Sequence, residues 1–263
     1  MKSIWEGELV FGLINMPVRL YTAVEAKDVA FRLLHEKCRT PLRYERYCPF
    51  HKQEVPWPQV VKGYEYEKGK FVIVKPTDFA KIPLRSVKAI DVEQVALVKD
   101  IDPIFFEKSY YIAPQEKGKE AYALLREALK HDQSALVCKF VQRNKEHLAI
   151  IRVHDNVLVL TTLYYWDEIR STEHISELET RKQPSKQQLE AALELLRNSR
   201  TTFSLARYRD EYRDWLQKII LAKIKGKELE LPPSTEELRK TKNLMEALRA
   251  SIDIAKRKNR PRK

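Results

Sequence analysis

The chain has 263 residues, 43% of them apolar, which is enough for one large core or a core with a smaller appendage. Its 49 basic and 37 acidic residues leave a net charge of +12, a balance that points to a polyanionic partner such as nucleic acid. Three cysteines make no disulfide framework, and no window approaches the ~20 apolar residues that span a bilayer, so a disulfide-stapled fold and a membrane helix are both excluded as expectations.

Residues Met1 to Leu20 are not read as a secretory signal: Glu6 and Glu8 break the apolar run, and no small-residue cleavage site follows. Val18, Leu20, Thr22 and Val24 alternate with Arg19, Tyr21 and Ala23, the period of a half-buried strand. Phe71 to Val74 follows Gly69 and ends before Pro76. Val87 to Val92, Ile104 to Ala113, Leu148 to Val153 and Val157 to Leu163 are further short runs of branched and aromatic residues, punctuated by Gly, Pro, Asn or Asp. Cys138 lies in the run Ala135-Leu136-Val137-Cys138 and is predicted to be a buried core residue. Many short strands with few helices predict an α+β, mainly β fold built on an antiparallel β-barrel.

One helix is predicted within this region, from Gly118 to His131, with a face of Ala121, Leu124, Leu125, Ala128 and Leu129. After Pro184 the chain turns helical. Ser185 and Gln188 form a capping-box pattern ahead of Leu189, Ala192, Leu193 and Leu196. A second helix is predicted from about Phe203 to Lys225, stopping at Gly226, with a face of Tyr208, Tyr212, Trp215, Ile219 and Ile220. A polar linker from Gly226 to Pro233 follows. Ser234 and Glu237 then open a last helix whose stripe includes Met245, Leu248, Ile252 and Ala255. The end, Ala255 to Lys263, holds six basic residues and no acid and reads as a disordered arm.

Two features carry chemistry. The first is the frame His35-x2-Cys38-x9-Cys48-x2-His51, with Pro41 and Pro49 favouring turns. Zinc takes four N and S ligands in a tetrahedron, and a two-residue spacer lets both members of a pair face one metal. A closed site of four protein ligands would be structural, not catalytic. The second feature is a set of cations: Arg39, Arg43, Arg46 and Lys52 in or beside the frame, Lys62, Lys68 and Lys70 around Gly63 to Glu67, and Lys139, Arg143 and Lys145 further on. Together they would neutralise phosphates and give salt-sensitive binding without sequence readout.

Other chemistries find no support. The six glycines make neither G-x-G-x-x-G nor G-x4-G-K-[ST], so no nucleotide cofactor is expected. Neither G-x-S-x-G nor H-E-x-x-H occurs. Asp91, Glu93, Asp100 and Asp102 form a loose acidic group better suited to capping turns than to holding a catalytic metal. His131, His147, His154 and His174 show no metal or triad spacing. No catalytic residue is assigned.

Ile4-Trp5-Glu6-Gly7, Phe11-Gly12-Leu13-Ile14-Asn15-Met16-Pro17-Val18 and Leu33-Leu34-His35 match the opening of the prokaryotic Ku proteins of non-homologous end joining, which the chain resembles. Val61 to Tyr66, Glu67 to Val72, Ile101 to Ile104, Tyr110 to Pro114 and Ala121 to Leu129 continue in register. Asn243 to Leu248 looks like its C-terminal motif.

The resemblance implies a non-catalytic homodimer in the cytoplasm, at the nucleoid, whose arms close a ring on double-stranded DNA ends and which recruits the ATP-dependent DNA ligase D to repair double-strand breaks. It implies a barrel core over 1–180 with an arm at about 30–70. A dimer-supporting helical region at 181–230 follows, then a ligase-recruiting helix and short basic tail at 231–263. Leu244, Met245, Leu248 and Ile252 would then contact the ligase. The zinc-ligand pairs occur in only part of that family, and the tail here is short. Two other readings are a zinc-dependent nucleic-acid-processing enzyme and a zinc-containing DNA-binding regulator.

Overall fold

Short strands of alternating burial build the N-terminal part of the chain. In the computed structural model, which describes residues 1–82, 88–143, 145–178, 183–227 and 244–258, β1 (Trp5–Phe11) and β2 (Ile14–Thr22) form a hairpin. Its two-residue turn needs a positive φ, which Gly12 supplies at 60° without a side-chain penalty. Next come β3 (Tyr47–Cys48), β4 (Gln53–Glu54), β5 (Lys62–Glu67), β6 (Lys70–Val74) and the short helix α1 (Pro76–Phe79). β7 (Ala89–Leu97) and β8 (Phe106–Pro114) precede helix α2 (Lys119–Asp132). β9 (Ser134–Gln142), β10 (Lys145–His154) and β11 (Val157–Leu163) follow it.

Seven of these strands close a barrel in the order β1-β2-β8-β11-β10-β9-β7. Neighbours are antiparallel except where β7 returns to β1, a parallel pair. The long excursion between those two strands supplies the crossover that parallel pairing requires. The seam is tight. Glu8 donates its N–H to the Lys88 carbonyl at 2.9 Å, and a Cβ on Gly7 would lie 2.2 Å from that oxygen, so the position excludes any side chain. The indole of Trp5 donates to the Val141 carbonyl at 3.0 Å and meets Phe140 edge-on, which ties the first strand to β9 across the closure.

The core sits inside the barrel. Leu9, Met16, Val18, Leu20, Ile90, Ile112, Leu136, Cys138, Phe140, Ile151, Leu158 and Leu160 are buried together. Cys138 is there as expected, and burial, followed by Asp91 nearby, pushes its thiol far above the usual range. Helix α2 docks through Tyr122, whose hydroxyl donates to the Ile112 carbonyl at 3.0 Å and accepts from the Leu158 N–H at 2.8 Å. That oxygen is inserted between β8 and β11, and it turns the packed face to Ala121, Tyr122, Leu125, Arg126 and Leu129. The expected face included Leu124 and Ala128; both are exposed, Leu124 at 71%. Apolar spacing alone missed the rotation because a tyrosine, not a leucine, fixes the helix.

Phe71 to Val74 is a strand, as predicted, but β6 pairs only with β5 and takes no part in the barrel. Val87, the predicted start of β7, lies outside the described residues.

The chain divides into two compact units, Met1–Arg170 and Ser171–Lys263. In the second, α3 (Lys186–Ser199) opens on the predicted capping box: Ser185 accepts from the Gln188 N–H, and the Gln188 side chain accepts from the Ser185 N–H at 2.9 Å. Helix α4 (Glu211–Ile224) begins later than predicted, because the Asp210 carboxylate caps the Arg213 N–H at 2.9 Å. Tyr208 is therefore outside the helix. Gly226 ends it with a φ of 65°. Helix α5 (Leu244–Lys258) packs on α3, with Lys256 paired to Glu194 at 2.8 Å. The linker beyond Lys227, the Ser234/Glu237 opening, Asn243 and tail residues 259–263 lie outside the described residues. Among the described residues, no helix is long and apolar enough to cross a membrane.

Candidate nucleic-acid interface

Between β2 and β7 the chain leaves the barrel, and from Val24 to Ile82 not one residue is buried. The arm expected at 30–70 lies inside this stretch. Its only ladders are two separate two-stranded ribbons, β3–β4 and β5–β6, with an isolated bridge between Leu34 and Pro41. Isolated two-stranded ribbons are marginal in water, so this segment has no hydrophobic core of its own to hold its shape.

The predicted metal donors sit on two matching turns. His35 and Cys38 flank the turn inside the Leu34–Pro41 bridge, closed by Arg39 N–H to the His35 carbonyl at 2.7 Å. Cys48 and His51 flank the turn between β3 and β4. In each turn the residue after the second donor, Arg39 or Lys52, takes a positive φ of 56° or 51°. Nδ1 of His35 lies 3.1 Å from Sγ of Cys38, and Nδ1 of His51 lies 3.5 Å from Sγ of Cys48. Two ligands of one tetrahedral zinc are about 3.5 Å apart, so each pair has the donor types and spacing of half a site. Among the described residues, no group of three or more donors is gathered for a metal. Hydrogen bonds from Thr40 and from His35 hold the exposed Cys38 thiol down to about 7.

The predicted DNA-contacting cations fall into two sets. Arg46 is occupied: its guanidinium lies 5.0 Å over the Trp57 ring and donates to the Val55 carbonyl at 3.3 Å. Lys62 lies 5.2 Å over Phe79, Lys70 pairs with Glu67, and Lys139 reaches Glu146 at 3.9 Å. By contrast Arg39, Arg43, Lys52, Lys68, Arg143 and Lys145 are exposed or at a turn, with no ion pair among the described residues. The first four of these lie on the arm. Arg143 and Lys145 lie at the β9–β10 turn of the barrel.

The predicted ligase-contacting residues are divided. Leu244 is exposed, Met245 and Leu248 are half-buried, and Ile252 is buried in the second unit, where α5 packs on α3. Sequence reasoning passed over the aromatic residues Tyr44, Phe50 and Trp57 among the arm's cations. All three are exposed, and their interleaving with Arg and Lys was a readable signal.

A closed barrel with a long, coreless, cation-bearing excursion between its second and third barrel strands in chain order defines a β-barrel protein with an extended arm. The Ku70/Ku80 beta-barrel domain matches residues 10–191. A non-homologous end joining protein Ku from Heliobacterium modesticaldum is 36% identical over 97% of this chain and 93% of its own length. Proteins of the same name from Bacillus subtilis (34%, over 99% and 84%) and Archaeoglobus fulgidus (35%, over 97% and 100%) are similar in extent. The chain belongs to the Ku family.

Proposed function

We propose that this protein is a non-catalytic DNA-end-binding factor that acts in the cytoplasm in repair of double-strand breaks by non-homologous end joining. The observation that carries the reading is the arm: a coreless excursion that presents Arg39, Arg43, Lys52 and Lys68 exposed, with no ion pair among the described residues. Cations of this kind bind the phosphate backbone by releasing counterions and read no bases. The names of the relatives support the process, and the eliminated nucleotide and catalytic motifs support a binding role over the processing-enzyme reading.

In this reading two copies close their arms around the duplex. Exposed apolar side chains on both parts of the chain support a second copy: Tyr64, Phe71 and Ile73 on the arm, and Leu189, Leu193 and Leu196 along α3. The ATP-dependent DNA ligase D is the partner recruited, and the exposed Leu244 end of α5 is its contact. Zinc is a structural staple: His35, Cys38, Cys48 and His51 would hold it, and it would join two turns that have no core beneath them.

The test is a gel-shift competition between linear duplex and covalently closed circular duplex. Strong binding to linear DNA and weak binding to circles is expected, because a closed ring loads and leaves only at ends. Equal affinity for the two would contradict the ring. For zinc, elemental analysis should give about one metal per chain, lost in Cys48→Ser.

A further inference from the structure

Three of the four tryptophans are engaged within the chain. Trp5 donates to the Val141 carbonyl and meets Phe140 edge-on. Trp57 has the Arg46 guanidinium 5.0 Å over its ring, and Trp215 has the Lys218 ammonium at 4.2 Å. Trp166, just after the last barrel strand, is 82% exposed. Among the described residues, no cation and no second ring lies against it.

The backbone sets another ring beside it. Tyr165 is extended, with φ −71° and ψ 159°, so the side chains of Tyr164 and Trp166 leave on one side of the chain and that of Tyr165 on the other. Burial follows the same alternation: Tyr164 and Trp166 are exposed and Tyr165 is half-buried. The Tyr164 N–H donates to the Phe105 carbonyl at 2.8 Å, one step beyond the pairing of Leu163 with Phe106. Residues 100–106 therefore lie alongside residues 162–169.

Both stretches are acidic in a chain of net charge +12. The first holds Asp100 and Asp102, the second holds Asp167 and Glu168, and neither holds a cation. Lys99 and Arg170 bound them, and Glu107 and Lys108 pair with each other at 3.2 Å. None of the four acids is in an ion pair among the described residues. Asp102 accepts from the Ile104 N–H at 3.0 Å and Glu168 from the Tyr165 N–H at 2.8 Å, which fixes both carboxylates on their turns.

The charge selects the class of partner. Unpaired carboxylates repel the phosphates of DNA and of anionic lipid. A self-matching contact between two copies would set the same acids against each other. An open π-face bordered by carboxylates suits a cation, and tryptophan is the ring that holds one best. Trp57 and Trp215 make that pairing inside the chain; Trp166 is left to make it with a partner.

We propose that Tyr164 and Trp166, with Asp102, Asp167 and Glu168, form a docking surface for a protein segment that presents an arginine or lysine beside an apolar side chain. The cation lies over the Trp166 face and the carboxylates neutralise it. Tyr164 and Ile104, which is 58% exposed, take the apolar neighbour. The surface is built from the barrel's own turns and not from the arm, so it stands whether or not the arm binds DNA.

The experiment selects peptides from a random displayed library on the full chain, with the Trp166→Leu protein as the counter-target. Enriched peptides should carry Arg or Lys next to an apolar residue. A fluorescent copy of the most enriched peptide is then measured by anisotropy. Trp166→Leu keeps apolar bulk and removes the π-face. It should weaken binding about threefold for an exposed cation–π contact and about thirtyfold for a desolvated one. Replacing the peptide's cation by citrulline, which is neutral, should cost the parent at least as much and the Trp166→Leu protein less. Asp167→Asn should weaken binding less than Trp166→Leu and flatten its salt dependence. Both substitutions are at exposed positions, so urea unfolding and affinity for linear duplex should match the parent.

No enrichment on the parent over Trp166→Leu overturns the proposal, as do enriched peptides that carry no cation. Equal affinity for the cationic and citrulline peptides also overturns it. Weaker duplex binding by Trp166→Leu would make the face a DNA contact, and a smaller species on its sedimentation would make it a contact between copies. Either result overturns the proposal.

Discussion

The barrel and the arm of the first unit are built on opposite terms. The barrel buries a dozen large apolar side chains, closes every strand edge and pins its helix with a hydrogen-bonded tyrosine inserted between two strands. The arm buries nothing from Val24 to Ile82 and carries cations, aromatic rings and metal donors on small ribbons. The cysteines show the contrast in one atom type. Cys138 is a sealed core thiol, whereas Cys38 is an exposed one held in its reactive range. Stability is concentrated in the barrel, and the arm has no core of its own to hold its shape.

Chemical labelling gives the widest contrast. With a chelator present at pH 8, Cys38 sits above its value of about 7 and is mostly thiolate, while Cys138 stays a neutral thiol out of solvent's reach. Alkylation followed by peptide mapping should label Cys38 in the native protein and Cys138 only after unfolding. Native labelling of Cys138 at a comparable rate would break the comparison. Next in size, Leu160→Ala removes a fully buried side chain and should cost about 2–5 kcal/mol in urea unfolding. Leu42→Ala on the arm, at an exposed residue outside the apolar set offered to a second copy, should change the same transition by about 0.5 kcal/mol or less. A cost at Leu42 equal to that at Leu160 would mean that the arm has a core of its own. The smallest effect expected is at single cations. Arg43→Gln, at a residue with no ion pair among the described residues, should flatten the salt dependence of DNA binding by about one unit. Lys70→Gln, already balanced by Glu67, should change it less.

The barrel was legible because burial imposes a period on the sequence. Val18 and Leu20 alternate into the core as predicted, although Thr22 and Val24, expected on the same face, are exposed and β2 stops at Thr22; the later runs of branched residues fall where β8, β10 and β11 lie. β1 was passed over: Glu6, Gly7 and Glu8 hide its alternation, and its place depends on a parallel partner about eighty residues away in sequence. Helix α2 was placed but misoriented, since the oxygen of Tyr122, not a leucine stripe, sets its rotation. In the arm, composition and spacing showed the donors and cations. They did not show that Arg46 is committed to Trp57 and Val55, a contact between residues that lie just outside the two ends of the β3–β4 ribbon. Nor did they separate Ile252, buried where α5 packs on α3, from the exposed Leu244, because both obey the same helical stripe.

The proposed division, DNA binding by the arm and folding by the barrel, is tested most directly by one variant carrying Arg39→Gln, Arg43→Gln, Lys52→Gln and Lys68→Gln together, measured for both urea unfolding and affinity for linear duplex across a salt series. The account predicts an unfolding transition within about 0.5 kcal/mol of the parent. It also predicts a large loss of affinity at low salt and a salt slope flattened by about one unit per cation. Affinity and slope unchanged from the parent would contradict it and move the DNA-binding surface off the arm.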